Sequence, residues 1–189
     1  MNTTTARDRI LETASELFFN QGYNLTGINQ IIEESRVAKG SLYYNFKSKT
    51  EVLLSYLQMS DEALFKQFEN ELEKERKPKN KILALIDLRF DLLKEGGYKG
   101  CRFARIVSEI SEEEEPAVLP VVRSFKEKFH SLIYELTLQL NEEPKRSNKA
   151  LADTIYLLME GASLQASIFK NDTAFLETRK IIASMLKKN

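Results

Sequence analysis

Apolar residues recur along the 189-residue chain every three or four positions, in stretches separated by short polar breaks. This spacing places them on one face of a helix. Only 7 glycines and 4 prolines are present, and both residues disfavour helix interiors. We therefore predict an all-α fold, in which Pro78 and Pro144 end the helices before them. The predicted helices are Thr5–Gln21, a short helix capped by Thr26, Lys39–Phe46, 49 to about 76, Lys79–Glu95, Cys101–Glu109, Ala117–Asn141, Lys149–Phe169 and a last helix capped by Asp172 or Thr173.

The pattern between residues 22 and 51 predicts two short helices joined by a tight turn and followed by a long helix. Leu42 and Phe46 stand four positions apart, so we expect them to be the inward anchors of the second short helix. Ser48 and Glu51 have the spacing of a capping box, which places the start of the long helix directly after the serine.

The exposed face expected for the second short helix is basic and rich in hydroxyl groups. Between Ser35 and Thr50 the chain has four basic residues and no acidic one, although its net charge is zero. Cations and tyrosine hydroxyls can bind phosphates, and small polar groups can reach base edges in the major groove of DNA. From charge alone, a solvated helix with two half-exposed tyrosines is an equally good interpretation.

A resemblance to a known family favours DNA. The string AKGSLYYNFKSKTEVL resembles the helix-turn-helix signature of the TetR/AcrR family of bacterial transcriptional regulators, and the match extends over residues 7–55. The sequence departs from the family pattern at two places. Asn45 stands where His is usual, and Ser35-Arg36 stands where Ala-Gly is common. Because glycine is favoured at positive φ, we expect a small backbone strain at Arg36.

The resemblance implies both an architecture and a function. It implies an N-terminal three-helix DNA-binding domain, 1–50, and a C-terminal helical domain, 51–189, that binds a ligand and dimerises. The implied function is that of a repressor, which binds a palindromic double-stranded DNA operator as a homodimer and is released by a small-molecule effector. The residues expected to contact DNA are Thr26, Lys39, Gly40, Ser41, Tyr43, Tyr44, Asn45, Lys47 and Lys49.

An effector pocket is implied for the C-terminal domain. Helices of this domain enclose a mostly apolar pocket in the family, and the region from Phe90 to Tyr156 is rich in aromatic residues. For each of these residues taken singly, a place in the core is the simpler interpretation. The pocket residues implied by the resemblance are Phe90, Cys101, Arg105, Phe125, Phe129 and Tyr156.

The last two long helices carry more apolar residues than one buried stripe requires, and small residues at their centre allow another helix to approach closely. In the family, two such helices pair with their mates in a four-helix dimer interface. The interface residues implied here are Leu158, Gly161, Ala162, Gln165, Ala166, Phe169 and Ile182.

Signatures of other functions are missing from the sequence. It has no nucleotide-binding glycine motif and no Gly-x-Ser-x-Gly elbow, so we predict neither an enzyme nor a cofactor. One cysteine and one histidine are too few for a zinc site of these ligands. No apolar run is long enough for a membrane span, and we expect a cytoplasmic protein without a membrane partner.

The acidic run 111–115 is interpreted as a solvated helix start, which the helix dipole favours.

The main alternative to a regulator is a helical scaffold that binds only protein, in which residues 22–51 are a structural cap. Alanine substitutions at Tyr43 and Lys49 separate the two classes, since a scaffold would keep its partner.

Overall fold

The computed structural model describes residues 4–113, 115–140 and 145–187 of the chain. These residues contain helices and no strand, which confirms the predicted all-α class. Within the same ranges, no helix combines the length and the apolar character needed to cross a bilayer. The helices are α1 (Ala6–Gln21), α2 (Ile28–Glu34), α3 (Lys39–Asn45), α4 (Lys49–Glu73), α5 (Pro78–Glu95), α6 (Arg102–Glu109), α7 (Val118–Leu138), α8 (Lys145–Phe169) and α9 (Thr173–Met185).

The first helix begins and ends where its sequence predicts. Thr5 and Asp8 form a capping box, in which the Asp8 amide donates to the Thr5 hydroxyl over 3.1 Å and the Thr5 amide donates to the Asp8 carboxylate over 3.0 Å. Gly22 ends the helix with φ +98° and ψ 164°. This backbone conformation is essentially restricted to glycine, so the residue type at this position is set by the turn.

The predicted cap of α2 is wrong. The residue before the helix is Gly27, which makes no side-chain capping bond. Thr26 is instead fully buried, and its hydroxyl donates to the carbonyl oxygen of Gly22 over 2.6 Å. The hydroxyl therefore closes the turn between α1 and α2, and no side chain caps the start of α2.

Two later boundaries also differ from the prediction. Pro78 is the first residue of α5 and does not end α4, which stops at Glu73. Proline is favoured in the first turn of a helix, because a backbone N–H there would have no acceptor within the helix. α8 begins at Lys145, earlier than the predicted Lys149. The expected helix break at Pro144 and the predicted helix end at Asn141 lie outside the described residues.

The chain forms two compact units. The first unit comprises Met1–Glu62 and Arg102–Ser124, and the second comprises Ala63–Cys101 and Phe125–Asn189. The divisions fall inside α4 and α7, so both helices contribute to both units. The functional division at residue 50 stays a prediction.

The core of the first unit joins the three N-terminal helices to α4, α6 and the start of α7. The ring of Phe18 lies 5.4 Å from that of Tyr23 and 5.7 Å from that of Tyr56. A helix as short as α3 is unstable in isolation, so this core is what holds it in place. The buried residues are Ile10, Leu11, Ala14, Leu17, Phe18, Tyr23, Ile31, Leu42, Phe46, Val52, Leu53, Tyr56, Leu57, Phe103, Ile106, Val118 and Val122.

The core of the second unit is built around aromatic pairs. Phe65 and Phe125 lie 5.8 Å apart and edge to face, and Phe68 lies 5.4 Å from Phe129. Such pairs add about 0.5–1.5 kcal/mol each to the free energy of burial. In a separate cluster of this unit, Phe175 of α9 packs against α5 and α8 with Leu93, Phe90, Tyr98, Ala162, Ala166 and Ala174.

Candidate nucleic-acid interface

α3 presents an anchored face and an exposed face. Leu42 and Phe46 are fully buried, as predicted, and fix the helix to the core of the first unit. On the other face Tyr44 is 90% exposed and Tyr43 is 45% exposed. Large aromatic side chains that stay in solvent while an apolar core is available point to a binding surface.

The polar neighbours of these tyrosines are also accessible. Lys39, Gly40 and Lys47 are exposed, whereas Ser41 and Asn45 are half-buried. The Asn45 amide donates to the carbonyl oxygen of Ser41 over 2.8 Å, so one of its two donors is used within the helix. The surface therefore combines cations, phenol hydroxyls and exposed backbone at a glycine, which are the groups that bind phosphates and base edges.

The turn before α3 has the strain expected from the sequence. Arg36 has φ +53°, which lies in the left-handed region that glycine occupies at no steric cost. Its side chain is exposed. A non-glycine residue in this conformation costs about 1–2 kcal/mol, and in exchange the turn gains a cation beside α3.

Lys49 differs from the other cations of this region. It is half-buried, and its ammonium nitrogen lies 4.0 Å from the centre of the Tyr23 ring. Burial lowers the pKa of Lys49, and the carboxylates of Glu115 and Glu109 act in the opposite direction. A cation over a tyrosine face is stabilised by about 0.5–2 kcal/mol, so Lys49 has a structural role in the free protein in addition to its predicted role on DNA.

The acidic run 111–115 is not merely solvated, and the interpretation as a helix start alone is wrong for Glu115. A carboxylate oxygen of Glu115 accepts a hydrogen bond from the Tyr23 hydroxyl over 2.7 Å and another from the Thr50 hydroxyl over 3.0 Å. Burial and the hydrogen bond from Tyr23 to Glu115 raise the pKa of Tyr23. Glu115 thereby joins the turn after α1 to the start of α4 across a long stretch of sequence.

α6 makes a second set of contacts, with α1 and with the turn after it. The Asn24 amide N–H donates to the Glu109 carboxylate over 3.0 Å. The guanidinium of Arg105 donates to the carbonyl oxygen of Phe19 over 2.8 Å, and that of Arg102 lies 5.3 Å from the centre of the Phe19 ring. No local pattern signals these contacts, because each joins residues far apart in sequence.

Gly22 gives a direct test of this packing. A Cβ at this position would lie 2.7 Å from a carboxylate oxygen of Glu109, in addition to the backbone strain at φ +98°. We expect Gly22→Ala to lower the free energy of unfolding by about 1–3 kcal/mol, measured by urea denaturation. Gly40→Ala is the matched control, because no atom lies within 4 Å of its Cβ and the position is helical. The control should raise stability by about 0.5–1 kcal/mol, and equal losses in both variants would contradict the assignment.

Comparison with known proteins identifies the family. The family model described as "Bacterial regulatory proteins, tetR family" matches residues 10–56. The HTH-type transcriptional regulator LmrA of Bacillus subtilis is 28% identical to the chain over 190 residues, which cover 100% of each protein. Residues 10–56 therefore carry the DNA-binding segment of the TetR family. The chain is thus a DNA-binding transcriptional regulator and not an enzyme.

Further proteins are similar to the chain over part of its length or in fold. The HTH-type transcriptional regulator QacR of Staphylococcus aureus is 38% identical over 65 residues, which cover 34% of this chain and 35% of QacR. The crystal structure of SCO4454, a TetR-family regulator from Streptomyces coelicolor, superposes with a TM-score of 0.87 at 24% identity and covers 97% of this chain and 95% of that one. The latter similarity supports the fold.

The six residues predicted for the effector pocket fall into three places. Phe125, Phe129, Tyr156 and Cys101 belong to one region of the second unit, where the ring of Tyr156 lies 6.2 Å from that of Phe129. Phe90 packs elsewhere in that unit, 5.4 Å from the ring of Phe175. The sixth, Arg105, belongs to the first unit.

A cleft of about 320 Å³ opens beside Tyr156, and its other lining residues are not among those predicted for the pocket. Its described lining includes Lys126 and His130 of α7, and His130 hydrogen-bonds to Asp153 over 2.7 Å. The polar residues of α7 occur between the apolar positions of its stripe. The spacing of the apolar residues alone does not indicate that these polar residues line a cleft.

The residues predicted for the dimer interface lie on two sides of α8 and α9. Gly161, Gln165 and Phe169 are exposed, and Leu158 is half-buried. Ala162, Ala166 and Ile182 are buried within the second unit, because small side chains on α8 allow α5 and α9 to pack closely. The exposed apolar residues of this region are Leu157, Leu164, Ile168, Phe169, Leu176 and Ile181.

Proposed function

We propose that this TetR-family regulator binds a palindromic operator as a homodimer, acts as a repressor and is released by a small-molecule effector. In this proposal residues 1–50 bind DNA, and residues 51–189 bind the effector and form the dimer. The observation that carries the proposal is the exposed face of α3, where two tyrosines project into solvent in a basic segment without acidic residues.

The groups on and beside α3 suit two different roles on DNA. Lys39, Tyr43, Tyr44, Lys47 and Lys49 would bind phosphates and set the position of the helix. The smaller residues would face the base edges, with the backbone coming close where a side chain is missing. Those residues are Gly40, Ser41 and Asn45.

Thr26 has a narrower role in this proposal than its sequence implied. Its hydroxyl is bound to the carbonyl oxygen of Gly22, so it is not available to a phosphate in the free protein. The backbone N–H groups at the start of α2 remain as donors, since no side chain caps this helix. Lys49 can reach a phosphate only when its ammonium leaves the face of Tyr23.

A homodimer is supported by the apolar surface of α8. Leu157, Leu164 and Ile168 are exposed and follow one another at helical spacing, so they form a continuous stripe. Such a stripe on a soluble protein marks an interaction site. A second copy of the chain would bury it, and two α3 helices about 34–36 Å apart would read successive turns of a palindrome.

For an effector to release the DNA, its binding must change the positions of the DNA-binding helices. Within the first unit, Glu109 binds the turn after α1, and Glu115 binds Tyr23 and Thr50. A shift of α6 or of the segment after it would therefore act on the turn after α1 and on the start of α4. We propose that the effector favours a tilt of α4 that changes the separation of the two α3 helices, which requires unequal affinity for the two states.

The test is a mobility shift with the DNA that flanks the gene, comparing the natural protein with Gly40→Ala. The space around Gly40 is open in the free protein, so the added methyl group should not disturb the fold. On DNA the same methyl group would meet the base edges or the backbone. We expect a saturable shift for the natural protein and a loss of affinity of about tenfold or more for the variant, from roughly 1.4 kcal/mol or more.

Two results would contradict this proposal. An unchanged affinity for Gly40→Ala would show that α3 does not approach DNA at this residue. The absence of any sequence-preferring shift at low salt, with a folded protein, would favour the scaffold function.

A further inference from the structure

Two cations and one carboxylate meet inside the second unit. Arg89 of α5, Lys126 of α7 and Glu160 of α8 come together where these three helices pack. Lys126 donates a hydrogen bond to one carboxylate oxygen of Glu160. The other oxygen lies 3.9 Å from a terminal nitrogen of Arg89, which is beyond hydrogen-bond distance. Glu160 is therefore fully bonded to only one of its two cationic neighbours.

The incomplete pairing leaves two buried polar atoms without hydrogen-bond partners. They are the Nε atom of Arg89 and the Oε1 atom of Glu160. Arg89 is only 9% exposed, and its guanidinium lies 5.0 Å from the centre of the Phe129 ring. Buried polar groups in folded proteins are almost always hydrogen-bonded. An unsatisfied N–H on a buried guanidinium thus indicates a place for an acceptor that the chain does not supply.

The balance of charge gives the sign of the missing group. Arg89 and Lys126 carry two positive charges, and Glu160 carries one negative charge. The nearby Asp153 is already bound by His130 and Lys149, at 2.7 Å in both cases. Glu127 also lines the cleft but is exposed, so solvent screens its charge. One buried positive charge remains in excess, which favours an anion.

A cation is the rival occupant, because Oε1 of Glu160 also lacks a partner. That oxygen faces Arg89, however, and its carboxylate is already shared between two cations. A third cation would raise the local excess to two positive charges in a poorly solvated site. An anion would instead provide the acceptor for Arg89 and neutralise the excess.

Lys126 belongs both to this cluster and to a cleft that is large enough for a small organic molecule. The cleft has a volume of about 320 Å³ and is lined by Lys126, His130 and Tyr156. The Tyr156 hydroxyl is a donor at neutral pH, and burial and the charge of Glu160 raise its pKa further, to about 12. The Tyr156 ring lies 5.2 Å from that of His130. The site thus pairs a cationic end with aromatic walls.

We infer that the effector is a small organic anion whose carboxylate binds between Arg89 and Lys126 and whose apolar body lies against Tyr156. The inference rests on the proposed release by an effector and assigns the chemical class of that effector. Binding would draw Lys126 from Glu160 to the ligand. Because these residues lie on three different helices, the exchange would alter the packing of α5, α7 and α8.

The experiment compares matched probes on the purified full-length chain by isothermal titration calorimetry. Indole-3-acetate, indole-3-acetamide and tryptamine share one ring system and differ in charge, and dodecanoate, dodecanamide and dodecylamine do the same on an aliphatic chain. We expect at least one of the two anions to bind tenfold or more tightly than both its neutral and its cationic analogue. Equal or tighter binding of an analogue, or no binding of either anion, would overturn the inference.

Three variants locate the site. Arg89→Met and Lys126→Met each remove a cation while keeping an apolar stem, and each should weaken binding of the anion by tenfold or more. Two substitutions are used because either one alone could disturb folding, which circular dichroism would reveal. Lys66→Met is the matched control, since Lys66 is exposed on α4. If the two site variants bind the anion as the natural protein does, the anion binds elsewhere and the inference is wrong.

Operator binding separates this inference from the proposed function. Mobility shifts are measured without ligand and then with the tightest-binding anion, and the anion should release the DNA. DNA binding that persists at saturating anion would overturn the effector class and leave the DNA-binding function intact. Absence of ligand-free DNA binding would instead contradict the proposed function.

Discussion

Glutamate at both Leu164 and Ile168 is expected to convert the proposed dimer into a monomer. These side chains are 61% and 58% exposed in the single chain, so the charges would be well solvated in the monomer. In a symmetric dimer they would be buried twice, at a cost of several kcal/mol per charge. We expect the dissociation constant of the dimer to rise about 1,000-fold or more, measured by sedimentation equilibrium, and operator affinity to fall with it.

Leu138→Glu is the control for this double substitution. Leu138 is also exposed and apolar, but it lies at the end of α7 and outside the α8 stripe. The Leu138→Glu variant should dimerise as the natural protein does. Neither this variant nor the double variant should lose more than about 0.5 kcal/mol in the free energy of unfolding of the monomer. A double variant that still sediments as the natural dimer would show that another surface forms the interface.

Replacing Tyr43 and Lys47 together by alanine should reduce operator affinity by about 100-fold or more. A dimer would lose four phosphate contacts, each worth roughly 0.5–1.5 kcal/mol. Both side chains are exposed, so the fold should not change. Loss of one cation per subunit should also make the slope of log affinity against log salt less negative by about 2. Mobility shifts or fluorescence anisotropy across a salt series measure both effects.

Lys66→Ala serves as the control for the charge. It also removes one exposed cation per subunit, but from α4 in the second unit and not from α3. The salt slope of this variant should equal that of the natural protein. If both variants reduce the slope equally, net charge and not α3 determines the affinity.

Local structure was the part of the fold that the sequence could predict. The capping box of Thr5 and Asp8, the buried anchors of α3 and the positive φ of Arg36 each depend on a few neighbouring residues. Spacing and residue type settle such features directly. The exposure of Tyr43 and Tyr44 follows from the same local reasoning, because the opposite face of α3 holds the anchors.

Features that depend on distant partners could not be read from local patterns. In the sequence Lys49 cannot be distinguished from the other cations of its segment, and only the structure shows that its ammonium lies over the ring of Tyr23. Glu115 looks solvated until the hydroxyls of Tyr23 and Thr50 are found within hydrogen-bond distance. Both contacts depend on how parts of the first unit that are distant in sequence pack together.

The faces of α8 show the same limit. Apolar residues on more than one side of a helix indicate that two sides will be covered, but they do not tell which side faces its own chain. Ala162 and Ala166 face inward because α5 and α9 pack against them, and Leu164 and Ile168 are left outside. Only the packing of the whole second unit separates these two sets.

The interrupted sequence of the first unit constrains how regulators of this kind can be recombined. Phe103 and Ile106 are buried in the unit that contains α3, although they stand far along the chain from it. A chimera that takes only residues 1–50 from this protein would lose these side chains and the carboxylates of Glu109 and Glu115. A chimera intended to transfer operator preference should therefore carry Arg102–Ser124 together with the N-terminal segment, as two grafts made at once.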